Sequence, residues 1–428
     1  MNKQVARIES LIKSCKINEY KIICKNTETC ELYYVLNKLE TARKVNTEYI
    51  TVTIYKNFEG YKGSSVFTVS QSYTDEEIKE KIVEAFSRCE YVKNDYFDMP
   101  QKSEVNTSKF KSEMEYEDLS DIANNVARAI FKADEFREGW INSTEIFVNR
   151  YNNEFLNSNG VHVTYPQMKL MIEVIPTWSG EKEEVELYFS KSSRKIDYEK
   201  ITNNVQEKLE DAKNRSVAKK LENVKTCKVI LGAEEVKTIV RMFATHLAYS
   251  TQYRQMSKFK VGDAIQSGDE CDKLTVVCTP FLEDSSLSSP IDSLGTVLKD
   301  ITLIKDGIAE NLYGDAMFGY YLKVDKPTGD YNNFKVSGGS KSLAEMKNNE
   351  YLECINFSSF QLDIFNGYFG GEVRLGMYFD GKDLTPVTGF SVTGNIYEDI
   401  NKMRFSVEEE SLEGYQGPKY LEVIMSIN

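Results

Sequence analysis

The sequence predicts an α+β protein: an N-terminal α/β region with a mixed sheet, followed by a Gly-rich, β-dominated C-terminal domain around one central helix. Amphipathic helices and strand-like runs alternate through the first half of the chain, which is typical of helices packed on a sheet. Glycine then becomes frequent, since 19 of the 24 glycines follow residue 225. Tight turns and close backbone approaches require glycine, so the second half is expected to be rich in both.

The composition indicates a water-soluble chain of two or three domains. It has 428 residues, of which 41% are hydrophobic and 28% charged. A net charge of -13 argues against a surface that neutralises nucleic-acid phosphates. No window approaches the roughly 18 apolar residues of a spanning helix, and the N-terminus lacks a signal-peptide core. We therefore expect a cytoplasmic protein without nucleic-acid or membrane partners.

The eight cysteines are widely spaced along the chain. The nearest pairs are Cys24/Cys30 and Cys271/Cys278, so the sequence contains neither a C-x-x-C redox pair nor a zinc ribbon. We expect reduced, buried thiols that pack as small hydrophobic groups.

The first predicted segment, residues 1–112, is an N-terminal α/β domain that ends in a linker. It opens with a helix and continues through strand-like runs to a second helix, which starts at a capping box of Thr74 and Glu77. The stretch Lys93–Asp118 is polar, aperiodic and interrupted by Pro100, and it reads as the linker.

The middle segment, residues 113–222, is predicted as helix, hairpin and helix. Its first helix carries apolar residues at helical spacing, namely Leu119, Ile122, Val126 and Ile130. Two strand-like runs joined through Ser179-Gly180 predict the hairpin. A long charged helix follows, with Ile201, Val205 and Leu209 on one face.

The third segment, residues 223–428, begins with the short apolar strand "KVILG" and a helix over about Ala233–Ser250. The rest is mostly strand-like. Two Asp-Gly pairs, Asp306-Gly307 and Asp380-Gly381, each lie between such runs, and Asp-Gly suits a type I′ turn. Two hairpins are therefore predicted.

The predicted helix Ala233–Ser250 carries His246, one of only two histidines in the chain. A helical zinc pair requires a second ligand three or four positions away, where this chain has Met242, Phe243, Tyr249 and Ser250. None of these is a normal zinc ligand. Three interpretations stay open: a histidine hydrogen-bonded within the fold or an interface, a polar contact in a binding cleft, or a direct role in chemistry.

Two glycine-containing motifs are alternative candidate sites. "GFSVTG", Gly389 to Gly394, is one residue longer than a nucleophile elbow, so Ser391 is expected in a β-turn. "SGGS", Ser337 to Ser340, lacks the lysine and spacing of a phosphate loop and is also expected to form a turn.

Several stretches together resemble the TldD/PmbA family, formerly called modulators of DNA gyrase. They are "ITVTIYKNFEGYKGSSVFTVS", "THLAYSTQYRQMSKF", "ITLIKDGIAENLYGD", "TGDYNNFKVSGGS" and the closing "FNGYFGGEVRLGMYFDGKDLTPVTGFSVTGNIYEDI". Their order and spacing match the family over most of the chain. The Gly-rich tail is the most specific part, and the middle segment matches only in outline.

The resemblance implies one of two kinds of subunit. The TldD kind carries H-E-x-x-x-H on the matching helix and a cysteine ligand near the C-terminus. Here Leu247 follows His246, no second histidine lies on the helix, and the last cysteine, Cys354, precedes the tail. The chain is similar to the PmbA/TldE kind, which lacks the metal motif and keeps the Tyr-Arg turn, here Tyr253-Arg254.

The family likeness implies a pair of similar subunits that enclose a cavity where peptides are cleaved, with zinc on the TldD-like partner and no cofactor in this chain. We therefore expect a non-catalytic subunit that closes the chamber and holds peptide, without catalytic or metal-binding residues. The candidate cavity or peptide-binding residues are His246, Tyr253, Arg254, Ser391 and Asn395. Arg254 would hold a carboxylate or backbone carbonyls, or else form an internal salt bridge that orders its turn.

Two other functions remain open at this stage. One is a stand-alone homodimeric peptide-binding or scaffold protein, and the other is a hydrolase with an atypical site. Under the leading interpretation the chain forms a dimer, with itself when the partner is absent, chiefly through residues after 226.

Overall fold

The computed structural model describes residues 1–181 and 183–428, without the side chain of Glu113. The capping box predicted at Thr74 and Glu77 is confirmed, because each side chain accepts a hydrogen bond from the other residue's backbone N–H. The helices in chain order are α1 (Lys3–Ser14), α2 (Asp75–Arg88), α3 (Leu119–Phe131), α4 (Tyr198–Ser216), α5 (Ala233–His246), α6 (Tyr249–Tyr253), α7 (Ala316–Tyr321), α8 (Leu343–Met346) and α9 (Ile396–Asp399).

One long sheet occupies the N-terminal half, in the order β4-β3-β2-β1-β5-β6-β7 with β8 also paired to β6. Every pair described in it is antiparallel, so the expected mixed sheet is wrong, although the α+β class is confirmed. Its strands are β1 (Tyr20–Val35), β2 (Lys38–Phe58), β3 (Tyr61–Val69), β4 (Asn94–Asp95), β5 (Gly139–Asn157), β6 (His162–Ser179), β7 (Glu184–Glu186) and β8 (Phe189–Ser193).

This sheet joins the first and middle predicted segments. Strand β1 pairs with β5 from Lys21↔Asn157 to Val35↔Ser143, across the predicted boundary at residue 112. Because side chains alternate along a strand, Cys24 and Leu32 point to the same face of β1. Helices α1 and α2 cover that face around Cys24, and α3 and α4 cover it around Leu32. The opposite face contacts the C-terminal domain, where Phe155 packs with Ile291.

The stretch Lys93–Asp118, predicted as a linker, is instead packed against the rest of the molecule. Phe97 and Met99 are buried in a cluster with Leu294 and Ala316 of the C-terminal domain. Phe110 is also buried, and its ring lies 5.5 Å from that of Phe281. The few apolar side chains of this polar stretch therefore join the two halves of the molecule.

A buried ion pair lies close to this packed stretch. The Lys62 side chain is 1% exposed and pairs with Glu19. Its ammonium also lies 4.5 Å from the ring centre of Phe97 and 4.9 Å from that of Tyr96. Lys62 of β3 thus contacts both Glu19, which precedes β1, and the segment that follows β4.

The C-terminal domain contains two sheets. In the first, β15, β10, β22, β18 and β16 pair in succession, and β16 pairs back to β15, which closes a barrel. The strands of this sheet are β9 (Lys219–Lys220), β10 (Thr226–Leu231), β15 (Tyr351–Leu362), β16 (Tyr368–Phe379), β17 (Leu384–Thr388), β18 (Phe390–Asn395), β19 (Arg404–Phe405) and β22 (Leu421–Ile427).

The second C-terminal sheet has the order β13-β12-β11-β14-β21-β20. Helix α5 packs in one apolar cluster with both sheets, for example with Val229 of the first and Val276 of the second. The predicted β-dominated domain with a central helix is therefore confirmed. The strands are β11 (Thr275–Thr279), β12 (Ile301–Lys305), β13 (Ile308–Ala309), β14 (Asn333–Ser337), β20 (Glu409–Leu412) and β21 (Tyr415–Pro418).

The two Asp-Gly hairpins differ in their turns. Asp306 (φ 46°) and Gly307 (φ 79°) both have positive φ between paired strands, as a type I′ turn requires. At the second site Phe379 pairs with Leu384, so a four-residue loop replaces the predicted two-residue turn. There the Asp380 carboxylate accepts hydrogen bonds from the N–H groups of Lys382 and Asp383, which stabilises the longer loop.

Among the described residues, no helix is long and apolar enough to cross a membrane.

Candidate functional site

Helix α5 ends at the histidine that the sequence singled out. Glu234 and Glu235 lie in its first turn, where negative charge favours helix formation. The helix stops after His246, and α6 begins three residues later at Tyr249, with Ala248 as its extended N-cap. The break places His246 at the end of a helix whose apolar residues are buried between the two C-terminal sheets.

The His246 side chain is fully buried, and protein groups surround its ring. Its Nε2 lies 2.9 Å from the carbonyl oxygen of Ile364 and 2.9 Å from the hydroxyl of Tyr397. On the other side of the ring, the Lys258 backbone N–H donates to Nδ1 over 3.4 Å. The Phe259 ring packs edge-on at 5.4 Å between ring centres.

These contacts define the protonation state of His246. Because Nδ1 accepts a hydrogen bond, Nε2 carries the proton and donates it to Ile364. Burial lowers the pKa of His246, the Ile364 carbonyl acts in the opposite direction, and the Lys258 ammonium lowers it further. The imidazole is therefore neutral at physiological pH.

The residues around His246 do not fit a zinc ion. Both ring nitrogens are engaged by the fold, and a metal-bound imidazole needs one of them free to ligate. In the part of the chain that the structure describes, no three His, Cys, Asp or Glu side chains converge as a metal-binding group. Cys354 is buried, and its burial raises the pKa of the thiol well above the usual value. The donor set thus lacks the partners that a zinc site requires.

Asn395 contacts the same loop as His246, the one between β15 and β16. Its side-chain oxygen accepts from the Tyr397 N–H and so caps α9, while its amide donates to the Asn366 carbonyl over 3.0 Å. The Tyr397 hydroxyl in turn donates to Ile364 over 2.5 Å. His246 and Asn395 therefore both hold the loop that joins β15 to β16.

Ser391 has a different setting from the predicted β-turn. It lies within β18, pairs with Glu372 of β16, and exchanges two backbone hydrogen bonds of 2.9 Å with Asn428. The turn expectation is wrong because the C-terminal strand supplies a partner that local sequence does not reveal. The neighbouring Gly389 has a φ of 75° and forms the bend before this strand.

Tyr253 and Arg254 lie at the end of α6 and face another surface. The Tyr253 hydroxyl donates to the Asp95 carboxylate over 3.1 Å, and its ring lies 5.1 Å from that of Tyr321. The exposed Arg254 guanidinium lies 5.2 Å from the centre of the Phe318 ring. No carboxylate within residues 1–181 and 183–428 forms a salt bridge with Arg254, which argues against the internal ion pair.

The five candidate residues thus fall into two groups. His246 and Asn395 hold the loop after β15, with Ser391 on the strand that leads to Asn395, and Tyr253 and Arg254 belong to an aromatic surface beside Asp95. Sequence reasoning missed Tyr397, which joins the first group, because an isolated tyrosine in "GNIYEDI" carries no signal of its own. A role of these residues in peptide binding stays a prediction.

The first turn of α5 offers a test that depends on pH. Burial is the main cause that raises the pKa of Glu235 to about 7 from its ordinary value of 4.5. The unfolded chain therefore loses this proton at lower pH than the folded chain, so folding loses stability as pH rises from about 4.5 to about 7. In the parent protein the free energy of unfolding should therefore fall between pH 5 and pH 8. Glu235→Gln is expected to make that fall smaller by about 1–3 kcal/mol, measured by urea unfolding at the two pH values.

The exposed neighbour Glu234 supplies the control, since Glu234→Gln removes the same charge without a buried carboxyl. The Glu234 variant should keep most of the pH dependence of the parent protein, because burial is the largest cause of the raised Glu235 pKa and the Glu234 charge a smaller one. An unchanged pH dependence in the Glu235 variant would contradict this account.

The chain is similar to known proteins both in the sequence of its C-terminal domain and in its overall fold. Residues 224–421 match the family described as the PmbA/TldA metallopeptidase C-terminal domain. No curated protein matches the sequence. Three solved structures share the fold over nearly their whole length.

The first is a proposed modulator of a DNA gyrase from Thermotoga maritima MSB8, with 14% identity, a TM-score of 0.81 and 100% of both chains covered. The second is TldE from Thermococcus kodakarensis, with 17% identity, a TM-score of 0.79 and coverage of 98% of this chain and 99% of that one. The third is a proposed modulator of DNA gyrase from Bacteroides thetaiotaomicron VPI-5482, with 14% identity, a TM-score of 0.81 and coverage of 100% of this chain and 99% of that one.

Proposed function

The chain is a member of the TldD/PmbA family through its C-terminal domain, residues 224–421, and on this basis we propose that it is the non-catalytic, TldE-like subunit of a cytoplasmic metallopeptidase. In this role it closes a chamber with a TldD-like catalytic subunit and holds peptide there. The likeness in fold to TldE of Thermococcus kodakarensis supports the proposal.

The observation that carries the proposal is the environment of His246. The equivalent helix would have to present two imidazoles and a glutamate to bind zinc and activate water. Here the single histidine is fully buried, and both its nitrogens are used to hold the loop between β15 and β16. We therefore assign His246 a structural role in this subunit and place the zinc on the partner.

Exposed aromatic groups close to His246 support association through the C-terminal domain. The loop that accepts the His246 hydrogen bond also carries Phe365, and β16 begins with Tyr368, which are 41% and 66% exposed. Side chains of this kind are enriched in the buried centres of protein interfaces. We propose that this hairpin end lies in the contact with the partner subunit, or with a second copy when the partner is absent.

Co-expression with a TldD-like protein of the same organism, followed by pull-down and a peptidase assay, tests the proposal. We expect a complex that cleaves an unfolded peptide, and an isolated chain that does not. A strict monomer at micromolar concentration, both alone and with the partner, would remove the assembly. Homodimers that bind peptide but no partner would instead support a stand-alone binding protein.

Arg254→Ala is expected to weaken binding of partner or peptide more than it weakens the fold. Its guanidinium is exposed and contacts the Phe318 ring, so its loss should change the free energy of unfolding by less than about 1 kcal/mol. Binding can be followed by titration with the TldD-like subunit and by peptide anisotropy. The matched control is Arg137→Ala, another exposed arginine. A lowered melting temperature with unchanged binding would leave Arg254 a structural residue only.

A further inference from the structure

A groove is lined by residues 95–103 on one side and residues 316–327 on the other. It consists of two adjoining cavities of about 770 Å³ and 560 Å³, which share Asp98, Tyr320, Val324 and Asp325. We call it the tyrosine groove, after the four tyrosines that line the larger cavity, Tyr96, Tyr253, Tyr320 and Tyr321. The two cavities together have the volume to take neighbouring side chains of a peptide.

The aromatic side chains of the larger cavity form two pairs. Tyr96 packs edge-on against Tyr320 with 5.7 Å between ring centres, and Tyr253 lies 5.1 Å from Tyr321. Tyr253 and Tyr320 remain 40% and 43% exposed. Part of each residue's surface is therefore accessible to a bound molecule.

Carboxylates surround these rings, and their charge is not neutralised within the fold. Asp95 accepts from the Tyr253 hydroxyl, and Asp98 accepts from the Tyr96 hydroxyl over 2.8 Å. Across the described chain, neither these two groups nor Asp325 has a lysine or arginine within 4 Å. The hydrogen bond to Asp98, burial and the charge of Asp98 raise the pKa of Tyr96 to about 12, consistent with a negative potential in the groove.

The nearby basic groups do not cancel this potential. Lys323 and Lys326 line the groove, but both are exposed and neither pairs with its carboxylates. The Arg254 guanidinium lies over Phe318 instead. The larger cavity thus combines accessible aromatic side chains with unpaired negative charge, which is the chemistry that holds an ammonium or guanidinium group.

A lysine beside the groove is already held in this way. The Lys62 ammonium is 4.9 Å from the Tyr96 ring centre and 4.5 Å from that of Phe97, and it pairs with Glu19. Tyr96 itself lines the larger cavity. A cationic ligand would use the same combination of aromatic rings and carboxylate on the solvent side.

The smaller cavity has a different character. Its lining includes apolar side chains from both walls, namely Met99, Pro100, Val297, Val324 and Pro327. An aliphatic side chain placed there would lose contact with water and gain packing. The two halves of the groove therefore select different neighbouring side chains.

We propose that the tyrosine groove binds an extended peptide that carries a lysine or arginine next to an apolar residue. The basic side chain lies among the tyrosines and Asp95, Asp98 and Asp325, and the apolar side chain enters the Met99 half. This inference deepens the proposed function, on whose peptide-holding role it rests, by naming the class of peptide.

Fluorescence anisotropy with fluorescein-labelled peptides on the full chain tests the proposal. The probe Gly-Gly-Lys-Leu-Gly-Gly is compared with a peptide that has Gln for Lys and with one that has Ser for Leu. We expect the lysine peptide to bind about tenfold more tightly than the glutamine peptide, with the difference shrinking at high salt. The serine peptide should bind about threefold to tenfold more weakly than the probe.

Groove variants separate specific from general binding. The double substitution Asp98→Asn and Asp325→Asn should remove most of the preference for lysine, and Tyr320→Ala should weaken the probe about threefold to tenfold. Glu210→Gln, which neutralises an exposed carboxylate of α4 outside the groove, should bind like the parent. Equal melting temperatures establish that each variant is folded.

Equal affinity for the lysine and glutamine peptides, or a preference that survives the double substitution, would overturn the groove assignment and leave the proposed peptide-holding role intact. Absence of binding for every peptide, with the partner complex still formed, would overturn both the groove and that role.

Discussion

Replacing Glu19 with leucine is expected to lower the free energy of unfolding by about 3–5 kcal/mol. The Lys62 side chain is 1% exposed and Glu19 is its carboxylate partner, so the substitution leaves a buried ammonium without a counter-charge. The rings of Tyr96 and Phe97 compensate only in part, since a cation–π contact contributes about 1–2 kcal/mol. Urea unfolding of the single variant measures the loss.

Two further variants test the cause of that loss. The double substitution Glu19→Leu and Lys62→Met should recover most of the stability, because a buried ion pair replaced by apolar groups often costs little. Glu283→Leu removes one partner of the Lys195–Glu283 pair, whose side chains are 56% and 69% exposed, and should cost less than about 1 kcal/mol. If Glu19→Leu cost no more than Glu283→Leu, the Lys62 pair would not stabilise the fold as described.

The His246→Ala protein is expected to be less stable by about 2–4 kcal/mol. The substitution opens a cavity at a fully buried position. It also removes one of the two donors to the Ile364 carbonyl, which keeps the Tyr397 hydroxyl, and the acceptor of the Lys258 N–H. Urea unfolding at pH 7.5 measures the effect, and His246→Gln, which keeps an amide donor and acceptor, should lose less.

The same histidine should contribute to pH dependence below neutrality. Because the folded pKa of His246 lies below its ordinary value of 6.5, the unfolded chain takes up a proton before the folded chain does. Its contribution is therefore complete above pH 6.5 and falls as pH drops below that value. The free energy of unfolding should differ less between pH 7.5 and pH 5.5 for His246→Gln than for the parent protein. The same difference in both proteins would indicate that His246 is not buried in its neutral form.

Local sequence predicted the features whose causes are local. The capping box at Thr74 and the type I′ turn at Asp306 depend on residues within four positions of each other, and both are present. The antiparallel pairing of β1 with β5 depends on residues more than a hundred positions apart, so the sequence did not reveal that the first two segments share a sheet. The packing of Phe97 and Met99 against Leu294 and Ala316 escaped notice for the same reason.

The candidate site shows the same limit. The pattern of apolar residues predicted one helix over about Ala233–Ser250, whereas α5 ends at His246 and α6 begins at Tyr249. The two partners of the His246 Nε2, however, lie 118 residues away at Ile364 and 151 residues away at Tyr397. Neither residue type carries a motif, so only the fold could identify them. The tyrosine groove likewise joins two stretches that are far apart in the chain.

Zinc content tests the central claim most directly, measured by elemental analysis on the isolated chain and on its complex with a TldD-like subunit after dialysis against chelator. We predict well under one equivalent of zinc in the isolated chain, and about one per complex together with peptidase activity. The His246→Gln variant should leave the zinc content of the complex unchanged. Stoichiometric zinc in the isolated chain that disappears in His246→Gln would contradict the account and make this chain a metallopeptidase in its own right.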